Sequence, residues 1–415
     1  MSAAEAGTVT RLEDVDLYDP DTYVPGVPHD MFALLRRDAP VFRHPEPGGP
    51  GFWAVTRYRD VVAVSRDFAT YSSGRRGALL NDPPEEDLAG QQLMLLNMDP
   101  PRHTKLRANV NRGFTPRRIA LLTDRVRSVC GTIIDGVAER GRCEVVSEVA
   151  AELPLQVIAE MMGIPPSDRH QIFEWSNKLV GFDDPDYRRS MEEARDVSMQ
   201  MYLYANELAL QRRDSPRDDL VSVLMGAEVD GEQLTEMEFD LFFLLLAVAG
   251  NETTRNLISG GMLALMQNPD QRRRLLEDAS LLDTAVEEML RWVTPVMQFR
   301  RTATRDAVIA GQPIAEGDKV VVYYSSANRD EAVFDRADRF DVGRSPNEHI
   351  TFGGGGPHFC IGANLARVEI RIIFEELLRR LPDMELDGPL RRLRSNFING
   401  LKEMPVRFQP AGGRS

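Results

Sequence analysis

Cysteine is scarce in this 415-residue chain, with only Cys130, Cys143 and Cys360. Three cysteines and no C-x-x-C give no sign of a disulfide framework or of a zinc site, which needs three or four ligands at set spacing. A basic excess is missing as well: 50 basic against 64 acidic residues leave a net charge of −14, which argues against a nucleic-acid partner. The longest apolar run, Leu241–Ala249, has nine residues, about half of the roughly 18–20 that a membrane span requires. The opening MSAAEAGTVTRLEDVD has no apolar stretch, so neither signal peptide nor membrane anchor is expected, and a cytoplasmic protein with reduced cysteines is. No Pro/Ser-rich linker or repeat divides the chain. It reads as a single domain over 1–415 with a flexible leader at 1–15, and Pro45–Gly51 and Asp82–Asp87 read as loops. The expected fold class is mainly α with small β-sheets, the strands falling at GFWAVT, at Asp318–Ser325 and at Pro405–Phe408.

Against this background one segment stands out, Phe352–Gly362, FGGGGPHFCIG. Four glycines permit a tight turn and a close approach to a flat ligand, because no Cβ stands in the way. Inward-turned N–H groups in such a loop stabilise an anionic sulfur. The following residues place Ile361, Leu365, Val368, Ile372 and Leu377 at roughly helical spacing, which would set Cys360 at a helix N-terminus and favour its thiolate. A shielded thiolate presented in this way can be an axial ligand of haem iron. A buried structural cysteine, a glycine linker and part of a zinc site are the plainer readings.

A second segment is Leu241–Met266. It predicts a long helix from Glu236 to Asn268, N-capped by Thr235 and stopped by Pro269, extending roughly 50 Å. Its apolar course is interrupted by Gly250-Asn251-Glu252-Thr253-Thr254-Arg255. Glycine and threonine are locally costly in a helix interior. Apolar residues flank the island on both sides, so it is expected to face an internal cavity rather than solvent. Further on, Glu288 and Arg291 lie at i and i+3 on one predicted helix face.

The cysteine loop resembles that of the cytochrome P-450 superfamily, the haem-thiolate monooxygenases, and the resemblance extends in order along essentially the whole chain. It implies the cytochrome P-450 fold, haem b as cofactor and Cys360 as the axial iron ligand, with Phe352 and Gly353 beside it. AGNETT resembles the superfamily's oxygen-activation motif. Ala249 and Gly250 would line a helix distortion, and Glu252 and Thr253 would form the acid–alcohol pair that delivers protons. Glu288 and Arg291 would form the superfamily's buried pair, joined by Arg339 from ADRFDVGR. His103 and Arg107 in NMDPPRHTKLR, Arg301 in FRRTATRD, and His358 would hold the haem propionates.

The resemblance is nearest to actinobacterial hydroxylases of sterol side chains and methyl-branched lipids. It implies a soluble bacterial monooxygenase that uses O2 and electrons from a separate ferredoxin and ferredoxin reductase. The ferredoxin would dock on the cysteine side, near Arg367. Its substrate would be a bulky apolar small molecule, a sterol or branched lipid, walled by Leu245, Val248, Ala249, Val296, Met297 and Leu401. Two alternatives stay open: a natural-product tailoring enzyme of the same superfamily, and a non-catalytic haem sensor on the same scaffold.

Overall fold

The computed structural model describes residues 9–187 and 190–410. The helices that carry the argument are α1 (Tyr58–Arg66), α2 (Arg102–Asn111), α3 (Pro116–Ala138), α4 (Glu152–Met162), α5 (Arg169–Val180), α6 (Met191–Asp214), α7 (Glu236–Gln267), α8 (Leu282–Val293) and α9 (Ala363–Arg380). One five-stranded sheet has the order β1 (Val41–His44), β2 (Phe52–Val55), β5 (Lys319–Tyr323), β4 (Gln298–Ala303), β3 (Tyr71–Ser72). Strands β2 and β5 run parallel, and the other neighbours are antiparallel. A small sheet joins Glu385–Leu386, Pro405–Arg407 and Arg142–Glu144. All three expected strands are therefore present. Among the described residues no helix is long and apolar enough to cross a membrane.

Of the leader expected at 1–15, residues 9–15 are described, and they are tied to the body of the protein. Residues 1–8 lie outside the described part, but Val9 donates its N–H to Asp30, Leu12–Asp14 form a helical turn and Val15 is buried.

The axis of the molecule is α7, with α4, α5, α6, α8 and α9 packed around it. Its start follows from the sequence: Thr235 accepts from the N–H of Glu238, and Glu238 returns a bond to the N–H of Thr235, closing a capping box. Gly250 sits where α4 crosses; a Cβ there would lie 2.9 Å from Ile158 Cγ1. Gly260 and Gly261 likewise admit Val293, Phe374 and Met289. These glycines thus set the helix spacing. The expected distortion at Ala249–Gly250 does not occur: α7 runs unbroken through the island. The Thr253 hydroxyl bonds back to the Ala249 carbonyl at 2.9 Å, which lets the helix absorb a polar residue without opening.

Glu288 and Arg291 on α8 are both fully buried. All five guanidinium donors of Arg291 have partners: both oxygens of Glu288 and the carbonyls of Asn328, Ala337 and Arg339. Glu288 also accepts from Arg344 Nε, Asn347 and the N–H of Asp341. The expected third member, Arg339, is corrected here. It contributes only its carbonyl and its side chain is exposed, while the guanidinium on Glu288 belongs to Arg344, at 3.0 Å. The reason is directional: the chain turns after Phe340, and Arg344 comes back over α8. Glu288→Ala should cost about 3–5 kcal/mol and prevent stable folding, since it strands Arg291 in the interior. Arg339→Ala should stay within about 0.5 kcal/mol of the parent. Chemical denaturation of the two variants side by side checks the assignment; a large loss in Arg339→Ala would reverse it.

Candidate active site

The cysteine loop is built by backbone contact. Gly353, Gly355 and Gly356 have φ of 102°, 90° and 79°, values that strain any residue with a side chain. Gly354 and Gly356 press on α1; added Cβ atoms would lie 2.9 Å from Ser65 Oγ and 2.6 Å from the Ser65 carbonyl. The glycine run thus serves the approach to a neighbouring helix, and of the four only Gly353 borders the interior cavity. The Cys360 N–H donates to the Phe352 carbonyl at 2.9 Å and closes the loop. Helix α9 begins just beyond, at Ala363, with Gly362 as its N-cap.

Cys360 keeps accessible surface and borders a cavity of about 270 Å³ that lies against α7. Burial raises its thiol pKa, while the N–H groups of Gly362 and Ala363 and the cations Arg107 and Arg367 pull the other way without prevailing. The protein's own dipoles and charges therefore do not hold the thiolate; a metal cation on the sulfur would. By contrast, Cys130 and Cys143 are inert packing groups, with thiols pushed up to about 12 by burial.

At one end of the cavity lies a cluster of two arginines and two histidines. His103 and Arg107 come from α2, Arg301 from β4 and His358 from the loop, and all four border the cavity. The two imidazole rings are 4.3 Å apart. His103 Nδ1 and His358 Nε2 are buried without a partner. Arg301 is buried and donates to the Arg300 carbonyl, and Arg107 donates to the carbonyls of Pro357 and Phe359. Among the described residues no carboxylate bonds any of the four, an unusual state for the buried guanidinium of Arg301. Burial, reinforced by Arg107, lowers His103 to about 4; burial, with Arg301 and His103, lowers His358 to about 2. A group carrying carboxylates at this end and a metal beside Cys360 fits both unsatisfied features. Haem has this form.

The polar island of α7 faces three ways. Thr253 borders the cavity, as do Ala249 and Gly250. Glu252 does not. It is 2% exposed, one oxygen bonded to Arg255 and the other without a partner. Burial raises its pKa and Arg255 opposes the rise. The expected acid–alcohol pair is adjacent in sequence, but no bond joins its members. Thr254 turns to Glu369 of α9, a carboxyl at the cavity edge that burial pushes up to about 8. Glu369 escaped the sequence reading, although a signal was there: an acid four residues after Leu365 and three before Ile372 lies in the apolar stripe of its helix.

Of the expected substrate walls, Leu245, Ala249 and Val296 border the cavity. Val248, Met297 and Leu401 do not. Val248 packs with Val180, Ile398 and Phe397. Met297 is turned away, as an extended neighbour of Val296 must be, and its N–H is tied to the Phe397 carbonyl at 2.9 Å. Leu401 is buried in the main core, beyond the turn that brings Ile398 opposite Val296. Phe397 approaches instead, its ring 5.5 Å from that of Phe299, a cavity residue. The docking charge expected of Arg367 is also committed elsewhere: it makes two bonds to Glu287, at 2.7 and 2.9 Å, and covers the Phe352 ring.

Residues 140–385 match the family described as Cytochrome P450, written cytochrome P-450 here. The steroid C26-monooxygenase of Rhodococcus jostii is 43% identical over 410 residues, covering 97% of this chain and 86% of that one. The methyl-branched lipid omega-hydroxylase of Mycobacterium tuberculosis is 46% identical over 386 residues, 90% of each chain. A Mycobacterium marinum cytochrome P-450 solved in complex with pseudoionone superposes with a TM-score of 0.90 at 42% identity, covering 97% of this chain and all of that one. The chain, with Cys360, Arg301 and Thr253 bordering one cavity, belongs to the cytochrome P-450 family and is a haem-thiolate monooxygenase.

Proposed function

We propose that this enzyme hydroxylates a bulky, mostly apolar lipid, a sterol or a methyl-branched chain, and that it works in the cytoplasm with a separate ferredoxin and ferredoxin reductase. The observation that carries the reading is that Cys360 and Thr253 border one cavity whose other walls include Leu95, Leu96, Phe242, Leu245, Val296 and Phe299. Such walls select by shape and burial, with few polar groups to orient a ligand. The names of the two hydroxylase relatives support the lipid class. The absence of a C-x-x-C-H attachment signal in the sequence favours a non-covalent haem b. Three unpaired cysteines fit a reducing compartment.

Cys360 would hold the iron of a bound haem through its thiolate, and the haem would supply the activation of O2. His103, Arg107, Arg301 and His358 would hold its carboxylates. Phe352 and Gly353 shape the pocket beside the sulfur. The Thr253 hydroxyl, presented to the cavity from α7, orders water where protons are consumed. Glu252 relays protons to it from the protein side. Leu245, Ala249 and Val296 keep the substrate near the reacting centre and exclude bulk water.

Three outcomes follow. Cys360→His should abolish the long-wavelength Soret band of the reduced carbon monoxide complex, even if haem is retained; a variant that keeps the band removes Cys360 as ligand. Thr253→Ala should keep haem and substrate binding while cutting product per electron roughly a hundredfold in favour of hydrogen peroxide. Unchanged coupling of electrons to product would dismiss its role. Titration of the ferric enzyme with cholesterol, phytanic acid and a macrolactone should give the high-spin shift with one of the lipids. A shift and turnover with the macrolactone alone would replace the lipid assignment with natural-product tailoring.

A further inference from the structure

Helix α6 is apolar on two sides. Val197, Met201, Ala205 and Leu208 are buried in the main core, which accounts for one side. The opposite side of such a helix is ordinarily polar. Here it carries Met199, Leu203 and Leu210, exposed to 56%, 64% and 54%. Steps of four and seven residues set the three in one line along the helix. A line of large apolar side chains on an outer face marks an interaction surface. Its two ends carry opposite charges. Asp196 lies one turn before Met199 and Arg213 one turn after Leu210; both are exposed, and among the described residues neither has a hydrogen-bonded or ion-paired partner. Positions 196, 199, 203, 206, 210 and 213 alternate steps of three and four, the seam spacing of two helices packed along their length.

We propose that this face binds a second copy of the same chain, the two α6 helices running antiparallel across a two-fold axis. In this register Met199 of one copy meets Leu210 of the other, Leu203 meets Asn206, and Asp196 meets Arg213. Symmetry makes each contact twice. Charge decides the direction: a parallel pairing would set Asp196 on Asp196 and Arg213 on Arg213, and like charges in contact oppose association. Glu207, exposed beside the seam, falls opposite Gln200 of the other copy and meets no acid. Asn206 is half-buried, and its amide donates to Asp240 of α7 at 3.2 Å, which ties the middle of the seam to the body of the protein. A lipid surface is the poorer occupant. The stripe is bordered by the exposed acids Glu192, Asp196, Glu207 and Asp214, which anionic headgroups repel. From 196 to 213 the seam is about 26 Å long. A single helix face of that length lies at the small end of specific interfaces, so the association is reversible and depends on concentration.

The test is sedimentation velocity of the haem-loaded enzyme over a wide range of concentration, where monomer should pass reversibly to dimer. Leu203→Glu should raise the dimer dissociation constant about tenfold or more, while the haem spectrum and turnover stay those of the parent. Asp196→Arg and Arg213→Asp should each weaken the dimer. The two changes in one chain should restore it, because the pairing is remade with its charges exchanged. Cross-linking reads the direction. A mixture of Asp196→Cys and Arg213→Cys chains, gently oxidised, should form a disulfide between the two variants, and Asp196→Cys alone should form none. A protein that stays monomeric at every concentration overturns the proposal. So does a dimer indifferent to both Leu203→Glu and Arg213→Asp, which would be built on another face. Ready cross-linking of Asp196→Cys with itself overturns the antiparallel register. Co-sedimentation of a monomeric parent with phosphatidylglycerol vesicles, lost in Leu203→Glu, would assign the stripe to a membrane surface instead.

Discussion

Everything at the haem pocket hangs on the buried ion pair of Glu288 and Arg291. A charge pair without solvent is tolerated only when all its hydrogen-bonding capacity is used, and here it is: the five donors of Arg291 and both oxygens of Glu288 are engaged. The consequences reach the cysteine by a continuous series of bonds. Arg291 fixes the Asn328 carbonyl; the Asn328 side chain holds Thr294, Thr351 and the N–H of Ile350. The Ile350 carbonyl takes the Gly353 N–H, and Phe352 takes that of Cys360. The ion pair adds little net stability against an apolar replacement, but it specifies one geometry for the loop, as a fully satisfied polar network can.

How much of this was legible in the sequence depends on whether one segment alone carried the information. The cap at Thr235, the long α7, the strands around Phe52 and Lys319 and the helix after Cys360 are local patterns, and they appear where the residues put them. The cluster of arginines and histidines was legible only through resemblance, since His103, Arg301 and His358 are far apart in the chain and nothing local draws them together. Where sequence reasoning failed, tertiary direction was the missing quantity. Arg339 and Arg344 stand five residues apart on an irregular turn, and only its path decides which guanidinium meets Glu288. Val296 and Met297 point to opposite sides because the segment is extended, a fact that apolarity cannot reveal. The four glycines were read as a close approach to a flat ligand; three of them approach α1 instead, and Gly353 alone borders the cavity.

The island of α7 illustrates how one helix serves several tasks with adjacent residues. Successive positions are about 100° apart around the axis. Glu252, Thr253 and Thr254 therefore turn to Arg255 of the same helix, to the cavity and to Glu369 of α9 respectively. These three members of a polar stretch that is costly for a helix are each bonded or exposed on a different side. The helix stays regular through the island because the Thr253 hydroxyl bonds back to the Ala249 carbonyl and no backbone group is set free.

The donors aimed at the Cys360 sulfur are main-chain N–H groups, those of Gly362 and Ala363. With Cys360 as the proposed ligand, such hydrogen bonds would withdraw electron density from the sulfur and help set the reduction potential of the metal. Because these donors belong to the backbone, they survive nearly every amino-acid replacement; only proline deletes one. The substrate cavity can drift through the side chains that wall it, while the electronic character of the iron site stays nearly constant. Such a separation lets one scaffold be retuned for new molecules without renegotiating its match to an electron donor.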